Sequence, residues 1–178
     1  MPNHVANELI FRGVDSAKQD ELLANLCDAE GNVDFDILVP APLNIWCGNV
    51  GVRHEEAFKR THLDWARENW GTKWNAYGHK PAERTDDTLT LRFDTAWTPP
   101  YPWLAAIFNR FKINFDHNWL SEGRERGVHG VFDFSQIESF AGEPWQEVPA
   151  DDEMQKHLHM LRWGCESFDD EDETETAD

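Results

Sequence analysis

The chain has 178 residues, of which 40% are hydrophobic, and its nine Trp and eleven Phe exclude a protein that is disordered throughout. The formal net charge of −18 disfavours direct binding to a nucleic-acid backbone, which needs a cationic surface. No apolar run of about 18 residues could span a membrane, and the N-terminus lacks the pattern of an export signal. We therefore expect a protein of the cytoplasm of the cell that makes it.

The first third of the chain begins with alternating apolar and polar residues over 3–12, a pattern typical of a half-buried strand. Asp15 or Ser16 can cap a helix that runs to about Asp28. The alternation of Phe, Ile and Val over 35–39 then predicts a second strand, which the following prolines end.

An insert is predicted from about 43 to 88. It contains a helix from about 55 to 68, which leads directly into the segment NWGTKWNA at 69–76. Within this segment Gly71 is placed to adopt the left-handed conformation that commonly follows a helix end. Alternation over 89–97 predicts a third strand.

The C-terminal half contains two more predicted strands and two helices. A helix begins at about Pro102, where proline is tolerated in the first turn, and strands are predicted at 113–119 and 128–135, with the second as hairpin partner of the first. The last helix covers about 150–163. Residues 166–178 carry eight acids and no base, so we expect one domain over 1–165 followed by a disordered acidic tail.

Two strand–helix–strand units predict an α+β fold with a ferredoxin-like antiparallel sheet and two helices on one face. The insert lies between the second and third strands, and the C-terminus adds a hairpin and a helix. We expect the other face to be solvated and joined by cross-strand ion pairs. Its residues are polar and mixed in charge: Glu8, Arg12, Arg92, Asp94, Asn114, Asp116, Asn118 and Glu122.

The sequence contains no recognisable catalytic, cofactor or metal signature. The glycines at 48–51 lack the Gly-Lys-Ser/Thr ending of a phosphate-binding loop, and His157 and His159 point in different directions from one helix. We therefore predict no cofactor and no metal, and we favour a protein that is not an enzyme. The three cysteines are widely spaced and predicted to be free thiols: Cys27, Cys47 and Cys165.

Aromatic and polar residues concentrate in two segments and at the N-terminus, where a small-ligand site could form. The candidate ligand-binding residues are Asn3, His4, Asn69, Trp70, Thr72, Lys73, Trp74, Asn75, Asp94, Thr95 and Trp97. In such a site Lys73 and Asn75 would be polar anchors, and Trp74 and Trp97 would be walls. Asp94 or His4 would handle a proton. The alternative is that the tryptophans plug the end of the sheet while the polar groups satisfy the backbone of the insert.

Three motifs carry a family resemblance: MPNHVAN at 1–7, NWGTKWNA at 69–76 and FDTAWTPP at 93–100. Together they resemble the YubB-type ferredoxin-like family, which is associated with bacteriophages, plasmids and mobile islands. The resemblance spans about residues 1–122 and leaves the 150–163 helix and the tail outside. It implies a ferredoxin-like domain, but it brings no established activity or catalytic set.

Three functions remain open. The first is a non-enzymatic accessory protein of a mobile element that binds a protein partner. The second is a small-ligand-binding protein or enzyme with a site at Trp70–Asn75 and Asp94–Trp97. The third is an acidic DNA mimic that occupies a nucleic-acid-binding protein. The charge also fits a solubility-giving surface or adaptation to high salt.

Overall fold

A computed structural model describes residues 3–45, 52–57, 61–123, 127–133, 145–148 and 150–165. No helix among these residues is long and apolar enough to cross a membrane. The elements in chain order are β1 (His4–Arg12), α1 (Ser16–Leu26), α2 (Phe35–Leu38), α3 (Val52–Ala57), α4 (His62–Asn69), β2 (Tyr77–Arg84), β3 (Thr88–Ala96), α5 (Tyr101–Phe111), β4 (Phe115–Ser121), β5 (Val128–Phe132), β6 (Trp145–Val148) and α6 (Asp152–Trp163).

The strands form one antiparallel sheet in the order β2-β3-β1-β4-β5-β6. The central strand β1 pairs with β3 from His4↔Ala96 to Arg12↔Thr88 and with β4 on its other side. The four strands β2-β3-β1-β4 have the ferredoxin-like order. The connection from β1 to β2 contains α1, and the connection from β3 to β4 contains α5. The predicted α+β, ferredoxin-like class is thereby confirmed, as is the hairpin between β4 and β5.

The predicted second strand at 35–39 is wrong, because these residues form the short helix α2. The Asp34 side chain accepts a hydrogen bond from Asp36 N and starts the helix, and Ile37 is 41% exposed rather than buried in a strand. Alternation over only five residues fits a helical turn as well as a strand.

The second strand is β2, which lies inside the segment that the sequence assigned to the insert. The insert therefore joins α1 to β2 and does not lie between the second and third strands. β2 is an edge strand with Gly78, Pro81 and two register shifts against β3, and most of its residues are half-buried or exposed. An edge strand of this kind has no apolar alternation to reveal it.

The predicted insert helix at 55–68 corresponds to two helices, α3 and α4, with residues 58–60 outside the described part of the chain. A capping box starts α4: Thr61 Oγ1 accepts from Asp64 N, and the Asp64 carboxylate accepts from Thr61 N. The four-residue strand β6 was not predicted.

The main hydrophobic core lies between the sheet and the helices α1, α2, α4 and α5. Phe35 of α2 is at its centre, with ring centroids 4.5 Å from Trp103, 5.7 Å from Phe93 and 5.8 Å from Trp70. The segment that joins α1 to β2 thus contributes Phe35 to the core, together with Trp65 and Trp70.

The second face of the sheet is not open along its length, because α6 packs on β1 and β4. Leu158 is fully buried there, and Glu8 and Asn118, which the sequence placed on a solvated face, are 0% and 1% exposed. Cross-strand ion pairs do form, with Arg92 Nε 2.7 Å from a Glu8 oxygen and Arg12 Nε 2.9 Å from Asp116. Alternation within strands identified the face but could not show that a helix so far along the chain covers it.

Two further predictions concern the cysteines and the tail. Cys27 and Cys165 are free thiols, as expected. Cys47 and the predicted disordered tail at 166–178 lie outside the described residues.

Candidate functional site

The tryptophan-containing segment is fixed to the body of the protein directly after α4. Gly71 has a φ of 84°, as predicted for a residue after a helix end, and a Cβ at this position would lie 2.4 Å from Pro102 Cδ. Trp70 is 2% exposed, and its indole Nε1 donates a 2.9 Å hydrogen bond to Val39 O. Trp70 therefore has the plugging role that the sequence offered as the alternative to a binding wall.

The same segment reaches the end of β3. Thr72 Oγ1 donates to Ala96 O over 2.9 Å and accepts from Ala96 N over 3.2 Å, while Thr98 Oγ1 donates to Gly71 O. Thr72 is 1% exposed, so its hydroxyl is fully engaged with backbone. These bonds bring the two predicted segments together at one end of the sheet.

Three of the predicted residues, Lys73, Trp74 and Trp97, meet at the surface there. Arg67, which was not predicted, lies beside them, and we call these four residues the tryptophan clamp. The Lys73 ammonium lies 4.9 Å from the ring centroid of Trp74 and 4.6 Å from that of Trp97. The Arg67 guanidinium carbon lies 5.3 Å from the Trp97 centroid. Although both indoles hold cations, Trp74 remains 37% exposed and Trp97 44% exposed.

Trp97 is held in a costly backbone conformation. Its φ is 74°, in the left-handed region that a bulky residue rarely adopts, and its N–H donates a 2.8 Å hydrogen bond to Asn3 O. Such a residue costs about 1–3 kcal/mol and persists only where its surroundings impose it. The fold therefore stabilises an exposed indole in a strained position, which singles out this surface as a candidate functional site. Asn3 contributes its backbone oxygen to this contact.

Asn75 does not converge on the clamp. Its Oδ1 accepts from Phe35 N over 2.9 Å and from Ala76 N over 2.8 Å, and its Nδ2 donates to Asp34 Oδ1 over 2.6 Å. Asn69 likewise donates within its own helix. These amides satisfy local groups, so the structure assigns them to the architecture of the insert rather than to a joint site with Lys73.

A cleft of about 500 Å³ borders the clamp on the Trp74 side. Its polar wall includes the carboxylates of Asp34 and Asp36 and the ring of His62, and Leu43 at its edge is fully exposed. Each carboxylate has one oxygen engaged in the hydrogen bonds that shape α2 and the turn after it. A carboxylate can accept more bonds than these, so the cleft offers acceptor groups beside an aromatic surface.

His4 and Asp94 form a separate corner next to the clamp. His4 Nδ1 lies 2.6 Å from the Tyr77 hydroxyl, which donates to Thr95 O over 3.1 Å, and the Tyr77 and Trp74 rings are 6.4 Å apart. Burial raises the pKa of Asp94, and burial and the Asp94 charge raise the pKa of Tyr77 to about 12. Tyr77 is thus an uncharged hydrogen-bonding bridge between the N-terminal strand and β3.

Thr95, another candidate ligand residue, is fully buried. Its hydroxyl accepts from Asn7 Nδ2 over 3.0 Å and donates to Thr98 O over 2.8 Å. Asn7 Oδ1 in turn lies 3.1 Å from Nε2 of His117, whose pKa is lowered to about 3 by burial and by the nearby His129. This internal chain of polar groups stabilises the sheet and is not accessible to a ligand.

A cluster that the sequence did not reveal lies under α6. The Glu8 side chain is 1% exposed and accepts from Arg92 Nε over 2.7 Å, Asn118 Nδ2 over 2.9 Å and His157 Nε2 over 2.7 Å. Burial by itself would raise the pKa of Glu8, but the hydrogen bonds from His157, Asn118 and Arg92 outweigh it and lower that pKa to about 2. The hydrogen bond to Glu8 raises the pKa of His157.

The Glu8 cluster adjoins a cleft of about 520 Å³ that is lined in part by His129 and His157. Asn118 Nδ2 donates to Glu8, so its Oδ1 accepts, and the short contact with His129 Nδ1 fixes the proton on that ring nitrogen. Among the described residues no group of three or more His, Cys, Asp and Glu side chains is arranged to hold a metal ion. The cluster joins α6 to the sheet through a buried charge. The sequence offered one signal for this cluster, which was a glutamate in the middle of an apolar strand.

Comparison with known proteins gives one family. Residues 69–177 match the family model described as the ferredoxin-like domain in Api92-like protein, which is more than half of the chain. The match begins in the tryptophan segment and continues through α6, which the three sequence motifs left outside. Comparisons with curated proteins and with solved structures give no match.

Proposed function

We propose, from the premise that this chain belongs to the family of the ferredoxin-like domain in Api92-like protein, that it is a non-enzymatic interaction module. The tryptophan clamp is its contact surface for a protein partner. In keeping with the resemblance to the YubB-type family, we place it among the accessory proteins of phages and plasmids.

The observation that carries this proposal is the strained, exposed Trp97, with Trp74 beside it. The two indoles are 44% and 37% exposed, although nine-tenths or more of the Trp65, Trp70, Trp103 and Trp119 surface is buried. Tryptophan and arginine are the residues most enriched among those that dominate the binding energy of protein interfaces. The hydrogen bond from Trp97 N–H to Asn3 O holds the backbone beneath that indole, which lowers the entropy that such a contact loses on binding.

Affinity capture from a lysate of the host cell tests the proposal. The full chain should retain a specific protein, and the doubly substituted Trp74→Ala, Trp97→Ala chain should lose it. A matched control is Met160→Ala, which removes a 43% exposed side chain from α6 and should leave capture unchanged. Capture that is equal for all three chains, or absent from all, would contradict a contact surface at the clamp.

A second candidate function is small-ligand binding in the cleft beside Trp74, supported by its aromatic wall and its two carboxylates. Thermal unfolding in the presence of a metabolite library tests this alternative, because a ligand at 100 times its dissociation constant adds about 2.7 kcal/mol to stability. A compound that raises the melting temperature should lose its effect on Trp74→Ala. If the effect persists in that variant, the ligand binds elsewhere.

A further inference from the structure

We infer that the partner of the tryptophan clamp presents an arginine-rich segment, whose guanidinium groups replace the Lys73 ammonium on the two indole rings. This inference rests on the proposed function, because it names the chemistry of the partner at the same surface.

The first support is the way in which the clamp is occupied in the free protein. Its rings already make three close contacts with cations, two with Lys73 and one with Arg67. A cation within about 6 Å of an indole centroid is attracted by the negative face of the ring. The geometry of Trp74 and Trp97 is therefore suited to positive charge, and Lys73 occupies the place that an incoming cation would take.

The second support is charge complementarity next to the clamp. The cleft beside Trp74 contains the carboxylates of Asp34 and Asp36, so a segment with several arginines could place one on the rings and another in this cleft. The formal net charge of −18 attracts a cationic segment at long range and speeds its association. An acidic segment would be repelled by the same field, although Lys73 and Arg67 would attract it locally.

The third support is the difference between the two cationic side chains. A guanidinium is planar, so it can stack on an aromatic face. It is also more weakly hydrated than an ammonium, so removing its water on stacking costs less free energy. Arginine from a partner can therefore displace Lys73, whereas lysine from a partner would exchange one ammonium for another. The inference consequently predicts a preference for arginine over lysine at equal charge.

Fluorescence anisotropy of labelled octa-arginine, octa-lysine and octa-glutamate with the full chain tests this at physiological ionic strength. Octa-arginine should bind more tightly than octa-lysine, by up to about 5-fold for each guanidinium that stacks, because an exposed cation–π contact contributes about 0.5–1 kcal/mol in total. Trp74→Ala with Trp97→Ala should abolish that preference without changing the net charge. Circular dichroism should verify that each variant folds.

Lys73→Met provides a second readout that leaves both rings intact. Removing the competing ammonium should tighten octa-arginine binding about 2- to 5-fold, and by more than the control Lys80→Met, which removes an equal charge from the exposed face of β2.

Equal binding of octa-arginine and octa-lysine, or equal effects of the two lysine variants, would show that net charge alone explains the binding. Either result would overturn the inference. Preferred binding of octa-glutamate, weakened by Lys73→Met, would assign an acidic partner instead. Both results overturn the arginine-rich partner but leave the interaction module standing. The module itself fails only if capture from the lysate does not depend on the clamp.

Discussion

Replacing Glu8 by Gln should destabilise the protein by about 3 kcal/mol at neutral pH. The carboxylate is buried under α6 and accepts hydrogen bonds from Arg92, Asn118 and His157. At about 1.4 kcal/mol for each tenfold change in proton affinity, lowering its pKa from 4.5 to about 2 corresponds to about 3 kcal/mol. Loss of one partner from a buried ion pair typically costs about 3–5 kcal/mol. The Gln amide would also direct a donor toward groups that are themselves donors.

Urea denaturation, followed by circular dichroism, measures this change in the free energy of unfolding. The matched control is Glu21→Gln, since Glu21 forms an exposed ion pair with Lys18 and such a pair contributes about 0–1 kcal/mol. NMR titration should also show the pKa of His157 falling toward its ordinary value in Glu8→Gln, because its raised pKa comes from this carboxylate. A loss below about 1 kcal/mol together with an unchanged His157 titration would refute the buried ion pair as the attachment of α6.

The sign of the pH dependence provides a further check on Glu8. Because its folded pKa is lowered, its contribution is present above pH 4.5 and is lost as the pH falls toward 2. His157 has a raised folded pKa, so its contribution is complete below pH 6.5 and is lost as the pH rises through the folded pKa. Glu8→Gln should remove both dependences, which urea denaturation at several pH values would show.

Three other predictions concern the interior and the insert. His117 is buried and neutral, with a pKa lowered to about 3. As the pH decreases below 6.5, the free energy of unfolding should therefore fall by up to about 1.4 kcal/mol per pH unit. Denaturation at several pH values should show a smaller slope in His117→Gln. Gly71→Ala should lower the melting temperature more than Gly31→Ala, because both have positive φ but only Gly71 approaches Pro102; equal losses would count against that contact. Asn75→Ala should cost about 1–3 kcal/mol in chemical denaturation because it leaves partly buried backbone donors unpaired.

Polar and aromatic residues form two different kinds of cluster in this protein. The Glu8 cluster holds a helix on the sheet, and the tryptophan clamp forms part of the surface. The Glu8 carboxylate is enclosed between α6 and the sheet, where its ion pairs with Arg92 and with His157 of α6 hold that helix in position. Lys73 and the two indoles are at the surface at one end of the sheet, where they contact solvent. The surface group is therefore the one to which we assign recognition of a partner.

The sequence by itself determined the elements whose pattern is contained in one stretch of chain. Strand alternation located β1 and β3, the Asp15 cap marked the start of α1, and Gly71 marked the end of a helix. These are local properties, since the period of the apolar residues and the geometry of a cap depend on close neighbours in the chain. The ferredoxin-like class was predicted from two strand–helix–strand patterns, of which only the second was assigned correctly, because residues 35–38 form a helix and β2 takes the place of the strand expected there.

Only the tertiary structure decided which faces are covered and which side chains meet. β2 has no apolar periodicity and becomes a strand by pairing with β3. Glu8 is buried because His157 arrives from a helix 149 positions later in the chain. Trp70 and Trp97 have the same chemistry, but one is enclosed by the core and the other is exposed by a strained backbone. Burial is a property of contacts between distant segments, and no local pattern specifies those contacts.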